Sequence, residues 1–417
     1  MKNFPIGFWN YVPIAEQDAT AVKDWAEAGM TLAMGPAFHS ASAGECEKMR
    51  EILDAAHAAG IRVILCARES SFHHLATVGD AVYRRDVAAA VAALGAHPAV
   101  FGFHVGDEPL KGDFAAACQA MRIQRELAPH LQPFMNLLPM LHDVVPQIGY
   151  FNYDAYLDDF AEAAQPPLLC YDCYAQLNPD AENNAFGGGF EMYFRTMRAY
   201  REAAERHGID FWTTLLSVAH FRYRCPTEDD FRWQLNTAAA HGAKGILWFF
   251  FYMRHPHENY RVSPIDEHGE RTETYAWMSR VCRTFLNGDA PVLQGCALRR
   301  VSHFGRGWGG WPMFDGGGRV AKAVSSSETP LVFSEFVHAN GAEYLAVVNN
   351  SQRESTRAEL IVRGRRPNLH HVGWKQAEHP LVDADGRGAE HGEDYVKFRC
   401  WLAPGQMELY RIEENPS

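Results

Sequence analysis

Eight apolar runs, each followed by a stretch of helical periodicity, recur between Pro5 and Gly288. They are Pro5–Asn10, Thr31–Met34, Ile61–Cys66, Ala99–Val105, Gln132–Leu137, Pro167–Tyr171, Asp210–Leu216 and Gly245–Tyr252. A strand buried on both faces reads as an unbroken apolar run, not as an alternation of apolar and polar residues. Eight such units at roughly 30-residue spacing predict a closed (β/α)8 TIM barrel over an open doubly wound sheet. No Gly-x-Gly-x-x-Gly follows the first run, which removes the main support for a dinucleotide fold. The predicted helices are amphipathic: within Cys46–Ala59, residues Met49, Ile52, Leu53 and Ala56 fall on one face. Gly29, Gly60 and Gly208 stand where helices should stop, and Thr227 with Asp230 has the spacing of a capping box.

The texture changes after Gly288. Val332–Phe336, Tyr344–Asn349, Ala358–Val362, Tyr395–Phe398 and Met407–Tyr410 are short strand-like runs between Gly, Asn and Ser turns. They predict a C-terminal antiparallel β-sandwich. The expected organisation is therefore an α/β barrel over residues 1–288 and a β-sandwich over 289–417. Asn178–Gly189, with glycines at 187, 188 and 189, is long enough to be expected as a lid or wall of the site.

Composition excludes several classes of partner. Lys plus Arg number 39 against 51 Asp plus Glu, for a net charge of −12, whereas nucleic-acid contacts need clustered cations. No window of about 20 apolar residues is present, so no membrane span is expected. The start, Met-Lys-Asn-Phe-Pro-Ile-Gly, lacks an apolar h-region, giving a cytoplasmic default, or a secreted or periplasmic location if a leader was removed. The 9 Cys include Cys170 and Cys173, which strand alternation points to opposite sides; they read as reduced packing residues, not a zinc or redox pair. The 20 His, including His73, His74, His104, His255 and His257, match no compact ligand set, so neither a metal nor another cofactor is expected. The composition leaves room for a homo-oligomer.

The chemistry concentrates where the strands end. The fourth run, Ala-Val-Phe-Gly-Phe-His-Val-Gly, delivers Asp107 and Glu108, and Pro109 then prevents further ladder pairing. Acids after a strand often only cap the next helix, and Asp107 alone is open to that reading. In a closed barrel, however, all strand ends converge, so Glu69, Asp107, Glu108, Asn136, Asp172, His220 and Tyr252 can share one cleft. Several carboxylates among aromatic walls suit glycosidic cleavage, where one protonated acid releases the leaving oxygen and a second charge supports the oxocarbenium-like centre. Glu108 is the candidate proton donor. Trp9, Trp212 and Trp248 are candidate sugar platforms, with core filling as the alternative for each, above all for Trp212.

Gly102-Phe103-His104-Val105-Gly106-Asp107-Glu108-Pro109, Asn136-Leu137-Leu138-Pro139 and Cys170-Tyr171-Asp172-Cys173-Tyr174 resemble barrel glycoside hydrolases related to the family 42 β-galactosidases. The stretch His241 to Phe249 and Pro264 to Gly269 running into Thr274-Tyr275 are similar in texture. The resemblance implies a clan of retaining enzymes whose acid/base Glu ends the fourth strand, as Glu108 does. Two departures matter. That clan usually has Asn before the acid/base, where this chain has Asp107. It also places a nucleophilic Glu at the end of the seventh strand, where Phe211 to His220 contains no acid.

Three repairs are open. Asp172 is the first choice as second carboxylate, acting as base or nucleophile. Alternatively Asp107 and Glu108 work together on an N-acetylated sugar, resembling substrate-assisted hexosaminidases, with Asp107 orienting the acetamido group. A loop acid such as Glu258 is the third. A barrel that only binds glycans is the non-enzyme alternative, supported by the missing seventh-strand acid and opposed by the concentration of like charges. The expectation is an exo-acting, β-galactosidase-like glycoside hydrolase with a carbohydrate substrate. Its catalytic residues are Glu108, Asp172 and Asp107, and Trp9, Glu69, Asn136, Tyr174, His220 and Trp248 line the subsites.

Overall fold

A computed structural model describes residues 3–141, 144–178, 188–255, 258–384, 386 and 388–414. Most of the Asn178–Gly189 loop and His257 lie outside the described residues. Eight parallel strands follow in order: β1 (Ile6–Phe8), β2 (Leu32–Phe38), β3 (Arg62–Ala67), β4 (Val100–Asp107), β5 (Phe134–Leu137), β6 (Leu168–Asp172), β7 (Asp210–Leu216) and β8 (Ile246–Phe249). Each pairs with its sequence neighbour from β2 to β8, and β1 pairs with β8. At the remaining seam, Thr31 N–H donates to the Ile6 carbonyl at 3.0 Å, which draws the ring together. The sheet and its helices form the TIM barrel that the eightfold repeat predicts.

Apolar side chains fill the barrel interior, among them Leu32, Met34, Ile64, Phe101, Phe134, Cys170, Trp212 and Leu247. Withdrawing each large one from water stabilises the fold by roughly 1.5–3 kcal/mol. Helices end where glycine can take a left-handed φ, as at Gly29 (79°) and Gly208 (65°). Among the described residues, the helices Phe72–Val78, Val144–Ile148 and Ala290–Gln294 go beyond the sequence reading.

The chain divides into two compact units. One holds Pro5–Cys225 and Gly245–Ser279; the other holds Pro226–Lys244 and Arg280–Ser417. All eight barrel strands belong to the first. The helix Glu228–Ala240, with the expected Thr227/Asp230 capping box, belongs to the second. There Trp233 Nε1 donates to Asn350 Oδ1 at 2.9 Å and Asn236 Nδ2 to the Gly405 carbonyl at 2.9 Å.

The second unit carries two antiparallel sheets. Their strands are β9 (Cys296–Phe304), β10 (Val320–Ser325), β11 (Leu331–His338), β12 (Glu343–Asn349), β13 (Thr356–Arg363), β14 (Pro367–Val372), β15 (Glu378–Pro380), β16 (Glu390–His391), β17 (Tyr395–Leu402) and β18 (Met407–Glu414). One sheet runs β10-β13-β17-β16 and the other β15-β14-β18-β12-β11-β9. Leu331, Phe333, Leu345 and Val347 from the second meet Leu360, Val362, Val396 and Phe398 from the first in one core. This is the β-sandwich expected from the two-residue alternation. β9 was not legible because Arg299 and Arg300 interrupt its apolar pattern. Among the described residues, no helix is long and apolar enough to cross a membrane, and no group of three His, Cys, Asp or Glu is placed to hold a metal.

Candidate active site

The site begins with two glycines in β4. A Cβ at Gly102 would stand 1.7 Å from the Gln132 carbonyl oxygen, and one at Gly106 would stand 2.2 Å from the Phe72 ring. Only a bare backbone passes both. The β4/β5 register also shifts between His104 and Gly106. Such an irregularity re-aims the residues beyond it, and it sets Asp107 opposite Asn136. Glu108 follows at φ 42°, a conformation L-residues avoid, and its N–H donates to the Asn136 carbonyl at 2.9 Å. A backbone strained by on the order of 1 kcal/mol and pinned in this way turns the Glu108 carboxyl off the strand and into the barrel mouth.

β5 and β6 supply the partners. Asn136, almost wholly buried, places its amide nitrogen 3.0 Å from Asp107 Oδ1 and 2.9 Å from Asp172 Oδ1, so one side chain ties both aspartates. The Glu108 carboxyl lies within hydrogen-bonding reach of Asp172. The Tyr174 hydroxyl faces Asp172 and favours its ionised form, yet meets no partner in full hydrogen-bond geometry.

Electrostatics follow from this crowding. Burial raises the Glu108 pKa well above the usual carboxylate range, and the charges of Asp172 and Asp107 push it further. Burial also raises Asp172, against the hydrogen bonds from Asn136, Glu108 and Tyr174. Asp107 shifts the same way, by desolvation and by the Asp172 charge, with the Asn136 bond and Arg254 opposing. Asp107 is enclosed by protein but open to water within the cavity, which tempers its rise. The outcome is a crowded set of three carboxyls, all displaced upward, in which burial and the two aspartates favour the protonated form of Glu108.

These groups line a cavity of about 670 Å³ at the C-terminal ends of the strands. Its walls are aromatic. Trp9, whose Nε1 donates to Thr214 Oγ1 at 3.2 Å, stacks with Tyr11 at 6.2 Å between centroids. Tyr174 stacks with Phe249 at 5.8 Å and meets His220 edge-on at 5.7 Å. Burial lowers His220 to about 4, so it stands as a neutral imidazole at neutral pH. The arrangement can hold an apolar-faced ligand and deliver a proton to one of its oxygens.

Of the expected site residues, Trp9, Asp107, Glu108, Asn136, Asp172, Tyr174 and His220 line this cavity. Glu69 and Trp248 do not. Glu69 sits in a short turn after β3, where Ser40 N–H reaches it at 3.0 Å and His39 Nδ1 at 3.2 Å. Burial raises its pKa, but these bonds outweigh burial and hold it below the usual range. Trp248 is fully buried: its neighbour Leu247 points into the barrel interior, so the pleat sends Trp248 to the opposite face. Phe249 takes the wall position in its place. Trp212 is also core, in a layer of the barrel interior. Tyr252 accepts from Trp25 Nε1 at 2.7 Å, and neither it nor Glu258 lines the cavity. Sequence reading missed Tyr11, Thr214, Arg222, Tyr223 and Arg254. Thr214 sits near the end of β7, but the others lie in loops that strand periodicity does not reach.

No protein-family model and no curated protein sequence matches the chain. Solved structures do. A family 39 glycoside hydrolase from the gut symbiont Bacteroides cellulosilyticus aligns over 99% of this chain and 81% of that one, with TM-score 0.54 and 11% identity. A family 5 glycoside hydrolase from Bacteroides vulgatus aligns over 99% and 89%, with TM-score 0.53 and 10% identity. A β-galactosidase from a psychrophilic Marinomonas aligns over 67% of this chain, with TM-score 0.51 and 12% identity; the chain spans 59% of its length. At these identities the likeness is one of fold.

Proposed function

We propose that this chain is a glycoside hydrolase acting on a carbohydrate, with Glu108 as the proton donor to the leaving oxygen. The observation that carries the reading is the Glu108 carboxyl, held protonated against Asp172 in a cavity walled by Trp9, Tyr174 and Phe249. Glycosidic cleavage needs an acid that keeps its proton at neutral pH, and burial beside two aspartates supplies one. The fold shared with family 39, family 5 and β-galactosidase structures agrees with it. Kinship with the family 42 enzymes, exo action and galactoside preference are finer parts of the proposal. They are supported by the residues around 102–109 and by the hollow at the barrel mouth. Residues 1–288 would be the catalytic domain and 289–417 the accessory sandwich. A panel of aryl glycosides tests the reading with wild type and Glu108→Gln. Turnover that disappears in the variant supports it, and turnover indifferent to the substitution overturns it.

A second mechanism has its own observation. Two carboxylates that act on opposite sides of an anomeric centre stand about 5–9.5 Å apart. Asp172 instead lies in contact with Glu108, and β7 ends at Leu216, followed by Ser217, with no acid there. That arrangement suits substrate assistance: the acetamido oxygen of a 2-acetamido sugar attacks C1, Asp107 orients it and Glu108 protonates the leaving group. Asp172 then serves to keep Glu108 protonated. Preferential cleavage of aryl N-acetylhexosaminides, with inhibition by a thiazoline analogue of the cyclised intermediate, would select this route. Equal cleavage of sugars lacking the acetamido group would exclude it.

A further inference from the structure

Arg254, just beyond β8, presents the feature that acid catalysis leaves unused. Its guanidinium lies 4.0 Å from the Tyr11 ring centroid and 5.2 Å from that of Tyr260, and Nη1 donates to the Tyr260 hydroxyl at 2.9 Å. Two rings and one hydrogen bond hold it at the cavity wall. Its charge is felt by Asp107, yet it makes no ion pair with a described carboxylate. Arg222 lines the same cavity and likewise pairs with no described acid. A cation meant only to neutralise Asp107 or Asp172 would close onto one of them, because a charge-assisted contact is favoured over a solvated gap inside a hollow. The ring clamp holds Arg254 half-buried in the cavity lining, and among the described residues its one side-chain hydrogen bond is that from Nη1 to Tyr260. A guanidinium fork matches the paired oxygens of a carboxylate or sulfate.

Resting on the glycoside hydrolase reading, we propose that Arg254, assisted by Arg222, is the specificity determinant for a sugar bearing an oxyanion substituent. The shared chemistry is a uronic carboxylate or a sulfate ester on the bound glycan. The two arginines offset the repulsion that an acid-rich cavity would otherwise exert on such a substrate. Arg254 contacts the substituent and not the bond that breaks, so its loss should be read mainly in KM.

The test uses the full chain, wild type and the variants Arg254→Met and Arg254→Lys. Substrates are matched p-nitrophenyl glycosides of galacto and gluco configuration: neutral, uronic acid and 6-sulfate. The wild type should favour one anionic member over its neutral counterpart by about ten-fold or more in kcat/KM. Arg254→Met should collapse that ratio through KM, and Arg254→Lys should restore part of it. Whether the uronide or the sulfate leads identifies the source of the oxyanion. Neutral glycosides cleaved as well as the anionic ones, or a ratio unmoved by Arg254→Met, would overturn the inference and leave the hydrolase reading standing. Should none of these glycosides be cleaved, the hydrolase reading stands or falls on the aryl N-acetylhexosaminides. Calorimetric titration with galacturonate, galactose 6-sulfate and galactose then decides the inference: anion-selective binding lost in Arg254→Met supports it, and its absence refutes it.

Discussion

The barrel mouth and the β-sandwich treat their acids in opposite ways. In the sandwich, carboxylates meet cations: Glu414 and Glu343 meet Arg319, Glu378 meets Arg411 at 2.7 Å, and Glu359 meets Lys397 at 3.0 Å. The Arg411 contact holds Glu378 below the usual carboxylate range, and Arg319 does the same for Glu414. In the barrel mouth, Asp107, Glu108 and Asp172 have one another and an amide, and all three are displaced upward. A paired acid holds a surface together. An acid crowded by its own kind holds a proton, at a cost to the fold that chemistry must justify.

The contrast breaks most visibly if Glu108 is not special. Glu108→Gln should lower kcat/KM by about a thousand-fold on glycosides with poor leaving groups, and less on dinitrophenyl glycosides, whose leaving oxygen needs no proton. Steady-state kinetics on the two series checks it. Asp172→Asn removes the charge that favours the Glu108 proton, so the alkaline limb of kcat/KM should move toward lower pH. Activity at neutral pH should fall about ten-fold or more; a full pH profile reads both.

Stability sharpens the comparison further. A carboxyl whose folded pKa exceeds its unfolded value binds more protons when folded, so its contribution declines as pH rises from about 4 through the folded value. Replacing Asp172 by Asn should therefore raise stability near pH 7 by about 1 kcal/mol, even as activity falls. The sandwich acids have the opposite sign. Glu378 and Glu414 contribute stability above the ordinary carboxylate pKa and lose it as pH falls through their lowered values. Glu414→Gln should cost less than about 1 kcal/mol, as exposed pairs do. Denaturant melts at pH 5 and pH 7 compare the two.

The sequence carries the barrel well because its signal is repeated: eight apolar runs, each followed by a helix, leave few alternatives. The strand-end rule brings Asp107, Glu108, Asn136 and Asp172 to one level of one cavity. What it lacks is the direction each side chain faces. Trp248 and Phe249 are neighbours in β8, and only the phase of the pleat separates core from wall. Glu69 sits near a strand end but in a turn whose hydrogen bonds keep it with Ser40 and His39. Arg254 and Tyr11 are held by contacts between loops distant in sequence, and no periodicity encodes them.

The most direct measurement is a carbon-13 NMR titration of glutamate-labelled protein, with the Glu108 carboxyl assigned by its loss in Glu108→Gln. Glu108 should keep its proton through neutral pH and lose it only above the ordinary carboxylate range. Titration within the ordinary carboxylate range would mean that residue 108 is an ordinary carboxylate and not the acid of a hydrolase.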